Sequence, residues 1–247
     1  MKFSYTLLLT TTLSLFISIT YAQKKITYGI GLDIFQTKLN NVDKENFSGY
    51  GHSVPGFKQN DKLGFGINGI VRIPVCKGLG VETGLGLAGY RSQFHFEYHH
   101  SFSQQWMDKK FNIGLNYLRV PLNLYYDINV SKKSSIIISG GINYKLLLWA
   151  NDNFDEIVFE KIGLPNVYKR YQSSIFAYNA NIAYQYKANS KNTFEVGLSI
   201  GSDFNAMAKK HPQFPQNFGF YANLHNATYS QYCISLKYFF TNKTATI

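Results

Sequence analysis

Residues Leu63 to Tyr90 read LGFGINGIVRIPVCKGLGVETGLGLAGY, and their two-residue rhythm decides the fold. Leu63, Phe65, Ile67, Gly69, Val71 and Ile73 share one face, while Gly64, Gly66, Asn68, Ile70 and Arg72 share the other. After a Pro74 to Gly78 break the rhythm resumes, with Leu79, Val81, Thr83, Leu85 and Leu87 opposed to Gly80, Glu82, Gly84, Gly86, Ala88 and Tyr90. Side chains alternate across a strand, so this is a β-hairpin with one greasy face and one of glycine and charge. A soluble sheet buries its greasy face on a second layer, whereas a membrane barrel turns it to lipid.

The same alternation recurs along the chain. It predicts a first strand over Ile26–Phe35, the hairpin as strands two and three, and later strands near Phe111–Tyr126, Ile136–Leu148, Phe176–Tyr186, Phe194–Gly201 and Gln231–Phe240. In the fourth of these the apolar parity changes, from Phe111, Ile113 and Leu115 to Leu118, Val120, Leu122, Leu124 and Tyr126. A bulge near Asn116 or Tyr117 would do this. Pro121 then faces inward and removes a ladder bond. Long polar connections (Asn40–Lys62, Glu97–Lys110, Asn151–Ser173, Asp203–His225) alternate with short turns (Pro74–Gly78, Asp127–Ser134, Lys187–Asn192). Outer-membrane barrels have this asymmetry, with tight periplasmic turns and extended outer loops. Tyr125-Tyr126, Tyr184, Tyr186 and Tyr238-Phe239-Phe240 gather at strand ends, where an aromatic girdle lies. A soluble eight-stranded barrel would carry its charges outside, but the second face here is too small and too neutral to coat one. The expected fold is therefore all-β, an eight-stranded antiparallel up-and-down transmembrane β-barrel.

The first residues combine Lys2, an apolar stretch from Leu7 to Ile19 and small residues at Thr20 and Ala22. They read as a secretory signal over residues 1–22, leaving 23–247 as the barrel domain. No second run of about 20 apolar residues follows, which excludes further helical spans. Cys76 in a turn and Cys233 on an inward face are expected to be free thiols. A net charge of +11 in an exported chain suits anionic lipid head groups and lipopolysaccharide better than nucleic acid.

The signal sequence, the glycine-rich paired strands, the phrase Tyr117-Leu118-Arg119-Val120-Pro121-Leu122-Asn123-Leu124 and the aromatic end Tyr238-Phe239-Phe240 together resemble the PorT-like outer-membrane β-barrel family of Bacteroidetes. The resemblance implies an outer-membrane location. The family's founding member is linked to protein secretion, though most members have no assigned role.

The candidate site is the lumen. Asp33, Arg72, Glu82, Arg119, Lys145, Glu195 and Lys237 all fall on inward positions. Eight strands enclose a space just wide enough for side chains, and enclosed charges must pair. These seven are expected to form a salt-bridged interior plug with a slight basic excess, which would favour anions if a path opened. That points to a monomeric structural or interaction protein, or a secretion accessory, meeting lipid and a protein partner through its outer loops. No catalysis, cofactor or metal is expected. The alternatives are a small pore, or a lipid A-modifying hydrolase at the rim using His99 and Ser101 with Glu97 as orienting group.

Overall fold

Each strand pairs antiparallel with its neighbours in sequence and the first pairs with the last, closing a barrel of eight strands. The strands are β1 (Thr27–Asn40), β2 (Gly56–Pro74), β3 (Leu79–His100), β4 (Gln105–Asn129), β5 (Ser134–Asp152), β6 (Ser174–Lys187), β7 (Asn192–Asp203) and β8 (Thr228–Thr241). This computed structural model describes residues 26–41, 56–100, 105–153, 171–208 and 226–241, with the backbone alone at 56–57, 96–100, 105–109 and 241. The expected signal at 1–22 lies outside the described residues. Closure gives every spanning strand a ladder partner on both sides, which a hydrocarbon environment demands.

The alternation holds as read. Phe65, Leu124 and Leu198 are 62%, 62% and 61% exposed on the outside, whereas Arg72 and Glu82 are buried within. Such a continuous apolar belt would aggregate in water and is solvated by lipid. Tyr28 with Phe240, and Phe194 with Tyr238, form stacked or tilted ring pairs near the end that carries the short turns. In the first of those turns Val75 and Cys76 donate to the Leu79 carbonyl, and Gly78 takes a φ of 79°. A side chain at Gly78 would also press on the Asp127 carbonyl, which makes glycine the residue for this position. Cys76 is exposed and Cys233 buried, and both are free.

Three readings are corrected. First, the connection expected over Glu97–Lys110 is mostly strand, since β3 and β4 stay paired out to His100 opposite Gln105. β2 likewise begins at Gly56 rather than after Lys62. Pairing of β1 with β2 ends at Thr37 opposite Lys62, and pairing of β4 with β5 starts at Ile113 opposite Asp152. Beyond those points β2, β3 and β4 continue as a three-stranded sheet standing roughly 20 Å further out along the strands. Thr37, fully buried, pins the junction: its hydroxyl donates to Arg91 O (2.5 Å) and lies 3.1 Å from Lys62 O.

Second, the irregularity beside Asn116 and Tyr117 exists, but β5 carries the extra residue. Asn116 pairs with Trp149 and Tyr117 with Leu147, so Leu148 is left over. β4 itself keeps one parity throughout. Its apolar residues change parity because Phe111, Ile113 and Leu115 point into the lumen, where the interior has become apolar. The third correction concerns charge: among the described residues the paired charges of the lumen balance, with no basic excess.

Candidate functional site

Near the short turns, strand pairing sets Arg72 opposite Glu82 and Glu195 opposite Lys237. Barrel closure then joins the two pairs across the lumen. Arg72 donates through Nε to Glu82 Oε2 at 2.7 Å, and through Nη1 and Nη2 to the two oxygens of Glu195 at 2.7 and 3.0 Å. Lys237 Nζ donates to Glu82 Oε1 at 2.9 Å and stands 3.4 Å from Glu195 Oε1. The guanidinium also lies over the Phe239 ring at 4.2 Å and near the Tyr125 ring at 5.1 Å. A bidentate arginine held between rings and two carboxylates has little freedom, so this layer is rigid.

One level further in, Arg119 and Lys145 face each other across the β4–β5 ladder. Like charges directly opposite repel. Each turns to its own carboxylate instead: Arg119 donates to Asp33 Oδ2 (2.5 Å) and Asn68 Oδ1 (2.8 Å), and Lys145 donates to Asp203 Oδ1 (2.6 Å). All seven sequence-selected charges thus point inward and pair, and Asp203 joins them as an eighth. It ends β7 with the inward parity of Glu195, Gly197, Ser199 and Gly201, so prolonging that alternation by one inward position would have found it. Arg72, Arg119, Lys145 and Lys237 now balance Asp33, Glu82, Glu195 and Asp203, and the expected basic excess disappears.

Above this ionic layer the interior is aromatic. Tyr90 packs on Phe35 (5.0 Å between centroids), Tyr229 (5.5 Å) and Tyr117 (5.6 Å), and Phe94 stacks on Phe111 (6.2 Å). The Tyr90 hydroxyl donates to Gln231 Oε1 at 3.1 Å, and Lys145 Nζ sits 4.3 Å from the Tyr90 ring centre, which ties the two layers together. Tyr171, Met207, Ala208 and Ala227 fold over the outer mouth, all buried. Main-chain bonds from Gln172 N to Met207 O and from Met207 N to Ala227 O hold them there. Within the ionic layer, between Glu82 and Lys237 on one level and Asp33 and Arg119 on the next, is a polar cavity of about 70 Å³ also lined by Asn123 and Asn181, room for a few waters at most.

Arg72, set inside a glycine-rich strand, and its interior partners place the polar face within the barrel and the apolar face on lipid. A family model described as "Outer membrane protein beta-barrel domain" matches residues 21–229. The chain belongs to this family, and its place is the cell outer membrane. Among solved structures the chain is similar to OprG from Pseudomonas aeruginosa (10% identity, 88% of this chain and 96% of that one, TM-score 0.45). It is also similar to Neisserial surface protein A (7%, 85% and 95%, 0.40) and to Ail of Yersinia pestis (8%, 88% and 100%, 0.36). At such identities the likeness concerns the barrel fold alone. A search of curated proteins returned no match.

Of the residues considered for rim hydrolysis, Ser101 lies outside the described residues, and His99 stands opposite Trp106 in the outward extension of β3. Among the described residues no group of three or more His, Cys, Asp or Glu side chains could hold a metal.

Proposed function

We propose that this barrel is a non-conducting outer-membrane scaffold that carries an interaction surface beyond the membrane. The observation supporting it is the doubly blocked lumen, with the four-residue ion network near the short turns and the aromatic layer under the Tyr171–Met207 cover. Both layers fill the lumen with buried side chains, and an ion crossing the first would have to break charge-assisted bonds among buried groups. Purified barrel in planar bilayers should give no conductance steps. Stable steps with a defined selectivity would overturn the reading in favour of the small pore.

The surface for a partner is the three-stranded extension of β2, β3 and β4. Beyond Lys62 on one side and Lys110 on the other, its outer strands have no ladder partner among the described residues, the Asn153 side chain bonding Asn112 N and Lys110 O between Lys110 and Ile113. Exposed strand edges accept a further strand from another chain. The resemblance to PorT-like proteins favours a secretion accessory within this reading. Loss of exported proteins from a strain lacking the barrel would support that role, and an unchanged set of exported proteins would remove it. The hydrolase alternative is less well placed, because His99 lies in the outward extension of β3, beyond the last row that β4 shares with β5.

A further inference from the structure

The outward face of β3, β4 and β5 changes character over three successive ladder rows. Leu87, Leu118 and Leu146 form an apolar row, followed by Gly89, Asn116 and Trp149, and then by Arg91, Gly114 and Asn151. In the second row Asn116 occupies an outward position, in phase with the lipid-facing Val120, Leu122 and Leu124, yet it is only 7% exposed. Its carboxamide points its oxygen at Gly89, with Oδ1 2.8 Å from where a Cβ on that glycine would stand. Its Nδ2 has no hydrogen-bond partner among the described residues. In the third row the arrangement is mirrored: Arg91 Nη1 and Asn151 Oδ1 both lie where a Cβ on Gly114 would be. Arg91 is exposed and forms no ion pair among the described residues.

Below this polar shelf the wall holds a groove of about 310 Å³ lined by Leu32, Phe65, Ile67, Leu87, Asn116 and Trp149. From the groove outward the order is therefore apolar surface, a buried amide donor, then a guanidinium about 7 Å further along the strand. An outer-leaflet lipid offers the matching order of acyl chain, acyl carbonyl and phosphate. An unpaired amide donor in hydrocarbon is costly, and a turn of the Asn116 carboxamide toward the groove would let a carbonyl acceptor remove that cost. Position on the side of the long connections, together with the cationic head-level residue, selects the anionic lipid of the outer leaflet.

We propose that this groove and shelf bind one phosphorylated acyl glycolipid of the lipid A class, with its acyl chain against Leu87 and Phe65, an acyl carbonyl on Asn116 and a phosphate on Arg91. The inference rests on the membrane location and not on the non-conducting reading. The test is native mass spectrometry of the detergent-purified barrel with lipid A or phosphatidylglycerol added separately, comparing wild type with Arg91→Ala, Asn116→Leu and, as a control, Lys38→Ala on the outward face of β1. Heat-modifiable gel migration verifies that each variant is folded, and Asn116→Leu places an apolar side chain on an apolar wall. The expected result is a one-to-one lipid A adduct. Its occupancy should fall about tenfold in Arg91→Ala, as for loss of one charge-assisted contact, and measurably in Asn116→Leu. Lys38→Ala should leave it unchanged. Equal binding of phosphatidylglycerol, an unaffected adduct in both groove variants, or no adduct in the wild type would each overturn the proposal.

Discussion

The two halves of the lumen solve one packing problem with opposite chemistry. Near the short turns, Arg72, Glu82, Glu195 and Lys237 fill the space with ion pairs. Near the long connections, Phe35, Tyr90, Phe94, Phe111 and Tyr229 fill it with rings. The difference teaches that a membrane barrel's polar face need not stay polar along its whole length, since lipid fixes only the outside. It also predicts different failure. A buried charge that loses its partner retains its desolvation penalty, whereas a truncated ring leaves a cavity whose cost depends on collapse.

The largest effect is expected from Arg72→Leu, which leaves two buried carboxylates facing Lys237 alone. Destabilisation of about 4 kcal/mol should appear in urea unfolding from lipid vesicles. A loss smaller than that of the ring variants would break the comparison. Tyr90→Ala should cost about 3 kcal/mol, since it removes three ring contacts and the bond to Gln231.

Next comes Asp203→Asn, which weakens the hold on Lys145 and should cost about 2 kcal/mol. The double change Asp203→Leu with Lys145→Met should recover most of that loss, because paired apolar replacements remove both desolvation terms. Failure to recover would mean that the pair contributes more than its own neutralisation. The smallest effects distinguish inside from outside. Gly197→Ala would press on Asn181 Oδ1 (2.8 Å) and Ser235 Oγ (2.9 Å) and should cost about 1 kcal/mol, whereas outward Gly69→Ala, with its nearest neighbour at 3.7 Å, should fall within about 0.5 kcal/mol. Equal effects would show that the lumen yields as readily as lipid.

Much of this was legible in residue order. The Arg72–Glu82 pair follows from a hairpin whose register the Pro74–Gly78 turn sets, and inward positions on every strand follow from alternation. Phe111, Ile113 and Leu115 misled because hydrophobicity was equated with the lipid side. Asp203 escaped because an acid at a strand end looks like loop, and Thr37 because its importance depends on β3, a strand it does not pair with.

By itself, then, the sequence determined the strands, their faces, the turn side and the membrane setting, since these depend on neighbours along the chain and on the period of two. Only the tertiary structure decided which charges meet across the lumen, where the interior turns aromatic and which strands extend past the rest of the barrel. Those features require closure of β1 on β8 and contacts between residues more than a hundred positions apart, such as Arg72 with Glu195, and local pattern carries no information about them.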